Sequence, residues 1–165
     1  MTNSTQTDGT SEPCPSSRAY ILWILVACAI LHMLEEYSFN FTGWVISVGQ
    51  SCSNTDMFST NFSFLIIGIC AAAVGWRNPS FSLSFPALLL WNALFHSAVT
   101  LLFGRLNPGV LTAVVLFFPV GIVSFVLAAR DRVLTTRRII IAFALGLLIH
   151  AYPLFLILMR PRLSY

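Results

Sequence analysis

Five stretches of this sequence are long and apolar enough to cross a bilayer, and every arginine lies at an end of one of them. A helix needs about 20 apolar residues to span the hydrocarbon layer, and the five runs approach that length. They cover residues 19–44, 60–76, 81–103, 110–129 and 139–159. Charged residues make up 9% of the chain, against about a quarter in soluble domains, and the mean hydropathy is +0.82. Disordered segments, disulfide scaffolds and coiled coils need compositions that this chain lacks. The expected fold class is therefore all-α, a polytopic membrane helical bundle of five transmembrane helices.

Two regions are expected. Residues 1–18 read as a disordered cytosolic tail rich in Ser, Thr and Pro, without the basic start of a signal peptide. Residues 19–165 read as a single membrane domain. All nine basic residues are arginines; six flank the amino-terminal side of the spans and three the opposite side. By the positive-inside rule the amino terminus is cytosolic, in an endomembrane such as the endoplasmic reticulum or in the plasma membrane. The arginines mark topology rather than a nucleic-acid surface, since no basic cluster is interleaved with exposed aromatics. Cys14, Cys28, Cys52 and Cys70 lack metal-type spacing and read as small hydrophobes. Asn40 and Asn61 begin glycosylation sequons, but both sit close to helix ends.

The informative residues are ionisable groups inside the spans. Glu35 and Glu36 are the acidic residues of the apolar runs, and His32, His96 and His150 are all the histidines of the chain. Such groups are costly at membrane depth and by default mark a functional site. His32, Glu35 and Glu36 are spaced i, i+3, i+4 and share one helix face, while Asn92, His96 and Thr100 form a second polar stripe. Counted from the cytosolic ends, the three histidines lie about 20, 22 and 17 Å deep, slightly beyond the midplane. Spans one, three and five thus bring titratable groups to one layer, and spans two and four are expected to add only small or apolar residues. Two adjacent carboxylates cannot both stay ionised cheaply there, so one is expected to be protonated, paired with histidine or neutralised by metal.

The segment from His32 to Tyr37, His-Met-Leu-Glu-Glu-Tyr, resembles the signature of a family of small membrane proteins named after its His-x-x-Glu-Glu (HXXEE) motif. Asn92 through His96 is similar to that family's second histidine preceded by Asn. Leu106-Asn107-Pro108-Gly109, followed by Thr112 and Pro119, is similar to its Tyr-x-Pro-Gly turn, with Leu106 in place of Tyr. The resemblance runs over about residues 28–125 and implies a membrane protein with a His/Glu centre.

Three functions fit these residues. The first is an enzyme doing isomerase- or cyclase-like acid/base chemistry on a lipophilic metabolite such as a terpenoid or polyketide, the setting of secondary metabolite biosynthesis. Its catalytic candidates are His32, Glu35, Glu36 and His96, and its substrate-binding candidates Asn92, Thr100, His150 and Trp91. A carboxyl group with a raised pKa can protonate an alkene or epoxide while a neighbouring base takes a proton back. This reading needs no cofactor and is analogous to sterol isomerases of the emopamil-binding type and small membrane terpene cyclases. The second is a metal-dependent oxidoreductase or hydrolase, with His32, Glu35, Glu36 and His96 as ligands for a divalent metal such as iron or zinc. The third is a carrier or a non-catalytic membrane partner. In each, the partners expected are a lipophilic small molecule and membrane lipid, with no nucleic acid, and homo-oligomer formation stays open.

Overall fold

The computed structural model describes residues 17–159. Most of the tail expected over residues 1–18, with Cys14, lies outside the described residues, as do Arg160 and Arg162. The described chain is an all-α bundle with no strand, and five of its helical segments are long and apolar enough to cross a membrane.

The first span is α1 (Ile21–Ser38), which stops six residues earlier than the sequence suggests. Asn40 adopts φ 54°, a left-handed conformation that Asn tolerates, and its side chain accepts a hydrogen bond from the Gly43 N–H. A separate short helix, α2 (Phe41–Ser47), starts there. The second span, α3 (Asn54–Val74), begins six residues before expected. A capping box at Ser53 and Asp56 starts the helix within the polar residues that precede the expected span. Asn78 caps α4 (Pro79–Ser82), which leads into the third span, α5 (Ser84–Phe103). The fourth span starts as α6 (Val110–Thr112), widens to a π turn over Ala113–Phe117 and continues as α7 (Phe118–Arg130). In the π turn the Phe118 N–H reaches the Ala113 carbonyl five residues back. Pro119 follows directly. It offers no N–H and its ring crowds the carbonyl four residues before it, so a wider turn upstream relieves the ladder. The fifth span is α8 (Thr136–Met159).

α5 lies at the centre and packs most heavily on α8. The contact is close because Gly146 meets the backbone of Ala87 and Leu88, where a Cβ would come within 2.6 Å of the Leu88 nitrogen. Small residues that let backbones approach are the usual means of helix association in lipid. Leu22, Leu25, Phe85, Leu88, Ala93 and Phe117 fill the space between α1, α5 and the fourth span.

At the arginine-rich end, Asp131 ties three spans together. It accepts from the Arg18 backbone N–H (2.7 Å), the Arg18 guanidinium (2.5 Å) and the Trp76 indole (2.9 Å). Burial works against its charge, but those hydrogen bonds and the Arg18 charge hold its carboxyl below the usual aspartate range. A depressed carboxylate contributes stability above its unfolded value, near 3.9, and loses it as pH falls through the lower folded value. Asp131→Asn is therefore expected to lower the melting temperature by a few degrees at pH 7, with the gap closing below about pH 4. Thermal melts of both proteins in detergent between pH 3 and 7 check this; a gap independent of pH would place the loss in packing instead.

Candidate functional site

The last two turns of α1 carry His32, Glu35 and Glu36. His32 is 4% and Glu36 5% exposed, and His96, reaching in from α5, is 1% exposed. Glu36 Oε1 lies 3.4 Å from Nε2 of His32 and 3.4 Å from Nε2 of His96. The three side chains offer ligand atoms within 4.8 Å of one another. The two imidazoles meet edge to face at 4.9 Å, and Phe117 backs His32 at 4.7 Å.

Neighbouring groups fix how each member is presented. His96 Nδ1 sits 3.0 Å from Oδ1 of buried Asn107. An amide oxygen only accepts, so Nδ1 carries the proton and Nε2 presents a lone pair. His32 Nδ1 sits 2.9 Å from the Thr112 hydroxyl, which itself donates to Glu35 Oε2 at 2.5 Å. With that hydrogen committed, His32 Nδ1 donates and its Nε2 also presents a lone pair; this Nε2 is buried without a hydrogen-bond partner. The other oxygen of Glu36 accepts from the Asn61 amide at 2.7 Å. With both rings neutral, three lone pairs converge on one buried point; with one ring protonated, its Nε2–H faces the Glu36 carboxylate instead.

Glu35 does not join them. Adjacent helix residues differ by about 100° in direction, and Glu35 turns to the segment after α5. Its Oε1 accepts from the N–H groups of Gly109 and Leu111, each at 3.1 Å, and its Oε2 from that of Thr112 at 2.7 Å. It thus caps the fourth span from another helix, satisfying donors that a helix start leaves orphaned. The structure thus places Glu35 apart from the His32, Glu36 and His96 cluster, with its carboxylate engaged by the start of the fourth span.

Gly109 has φ +95° and lies so close to the centre that a Cβ would stand 2.7 Å from His96 Cε1, 2.8 Å from His32 Cε1 and 3.0 Å from Glu36 Cγ. Leu106, in place of the expected Tyr, points away and is 76% exposed.

Other expectations change too. Spans two and four supply Asn61 and Thr112, so they are not merely apolar packing. Asn61, read from sequence only as a sequon, is held against Glu36. Because α1 ends at Ser38, His32 lies roughly 9 Å from the end of its helix. His32, His96 and His150 nevertheless each lie about 4 Å past the midpoints of α1, α5 and α8, so they share one layer just beyond the middle of the bundle.

A cavity of about 550 Å³ opens beside this centre, bounded by α3, α5 and α8. Glu36, Asn61, Asn92, His96 and His150 all line it. His150 is buried, with Phe95 at 5.6 Å. Trp91 does not line the cavity; its indole donates to the Phe143 carbonyl at 3.1 Å. Thr100 serves the turn instead, accepting from the Asn107 N–H at 3.4 Å.

A family model described as "Protein of unknown function with HXXEE motif" matches residues 23–124. That stretch contains the whole centre and its supporting turn, and ends before α8, one wall of the cavity. No curated protein and no solved structure matches the chain.

Proposed function

The chain belongs to the HXXEE family, and we propose that it is an integral membrane enzyme acting on a lipophilic metabolite at a divalent metal held by His32, Glu36 and His96. One observation carries this reading: Nε2 of both histidines stands 3.4 Å from Oε1 of Glu36 in a buried site, with each ring's Nδ1 already engaged by a fixed oxygen. With both rings neutral, these atoms face one another as lone pairs, which repel unless a cation lies among them. Two imidazoles and one carboxylate form a donor set suited to zinc or non-haem iron, leaving positions for water or substrate. The outer hydrogen bonds are those that metal-bound histidines use: each ring's second nitrogen donates to a fixed oxygen, and the spare carboxylate oxygen is itself held. A metal there would polarise a substrate oxygen or activate water, while the adjacent cavity keeps a lipophilic molecule within reach.

A proton in the metal's place would make the same three atoms an acid/base centre. That is the isomerase- or cyclase-like reading, which rests on the same shared Glu36 oxygen. Elemental analysis of purified protein separates the two. The expected result is about one equivalent of iron or zinc per chain, lost in His32→Ala and in His96→Ala. Protein that stays metal-free after incubation with either ion would remove the metal reading and leave proton transfer.

A further inference from the structure

We infer that the cavity admits a hydroxyl-bearing lipid sideways from the bilayer, between α3 and α8. This rests on the enzyme reading above for its purpose, but not on any metal for its geometry. α3 packs on α1 and α8 packs on α5, so the second and fifth spans flank the cavity while scarcely touching each other. Residues on both flanks line the cavity yet are exposed at the bundle surface: Ser59 and Ser63 on α3, Leu148 and Tyr152 on α8. An opening bounded by two membrane helices faces lipid. The volume of about 550 Å³ falls within the range of sites that enclose a small organic molecule.

The cavity also specifies the polar end of its occupant. Asn92 leaves its Oδ1 buried and without a partner. His150, from α8, lines the same cavity and hydrogen-bonds to no described residue, and its neutral ring offers one donor and one acceptor. A ligand group that both donates and accepts satisfies the two. A hydroxyl does so, whereas a carboxylate has no proton to give to an amide oxygen. The hydroxyl then lies near Glu36 and His96, which line the same cavity. The hydrocarbon chain runs past Phe64 and Ile67 toward lipid.

The test uses the full-length protein in nanodiscs and a long-chain alcohol bearing a diazirine, with labelled peptides mapped by mass spectrometry. Labelling is expected to concentrate in residues 57–67 and 148–154. The corresponding carboxylate probe should label about tenfold less. Leu148→Trp places bulk at an exposed rim position that the fold tolerates, and it should cut labelling severalfold without changing metal content. Asn92→Leu should erase the preference for alcohol over carboxylate. Labelling spread evenly over lipid-facing positions such as Leu101 and Leu111, or equal labelling by the two probes, would overturn the proposal. Metal content, measured on the same samples, reports separately on the centre.

Discussion

Gly109→Ala is expected to destroy the centre while leaving the protein in the membrane. Two costs add at this position. Alanine at φ +95° takes on left-handed strain of about 1–2 kcal/mol. Its Cβ would also overlap His32, His96 and Glu36 at 2.7–3.0 Å, and overpacking of this kind costs about 1–3 kcal/mol. The neighbours have little room to yield, because Asn107 and Thr112 hold both rings from the same turn that carries Gly109. The overlap is therefore expected to spread the three ligand atoms apart, and bound metal should be lost along with thermal stability. Gly104→Ala is the matched control. Gly104 also has positive φ, +62°, but nothing lies within 4 Å of a Cβ there. Melts and metal content of the two variants should show a shared strain cost, with a further large loss confined to Gly109→Ala. Equal behaviour would mean that the turn does not press on the centre.

That turn also shows what the sequence could and could not reveal. His32 and Glu36 announce themselves because one helical turn separates them, and His96 because it lies at matching depth on another span. Both inferences need only helix periodicity and length. The role of Glu35 needs more, since its partners are backbone N–H groups over seventy residues away, and backbone donors carry no residue signature. Asn107 and Thr112 stand in the motif that resembles the family's turn, yet nothing local says that they reach across to histidine rings. Asn61 was hidden by a misplaced helix start. Ser53-Asn54-Thr55-Asp56 has capping-box spacing, and reading it so would have put Asn61 inside α3, two turns from its start. The first span reads too long for the opposite reason: apolar residues resume in α2 beyond Asn40, so the polar stretch from Glu35 to Asn40 is taken as part of one run. Thr100 shares the polar stripe of His96 and Trp91 adjoins it in sequence, yet the bundle sends Trp91 to Phe143 and Thr100 to the turn.

The adjacent carboxylates offer the sharpest division of roles. Glu36→Gln keeps shape and the capacity to accept from Asn61, but removes the charge on which two lone-pair nitrogens converge. Metal binding should fall by more than the roughly 10–100-fold that loss of an outer supporting hydrogen bond costs. Stability should move the other way once metal is stripped by chelator. With both rings neutral and no metal, the buried carboxylate keeps only the Asn61 amide as a donor, and removing its charge relieves desolvation. Metal-free Glu36→Gln should then melt several degrees above metal-free native protein. Glu35→Gln predicts the reverse. It weakens three N–H contacts and the Thr112 bond that start the fourth span, where hydrogen bonds to a charged group are worth about 1.5–3 kcal/mol each. Its melting temperature should fall with or without metal, while metal affinity drops only within the 10–100-fold range as His32 loses its orienting partner. Melts with and without chelator, paired with a metal titration, separate the two variants. A Glu36→Gln protein that is destabilised without metal and still binds it would show that Glu36 supports structure and that the chemistry lies elsewhere.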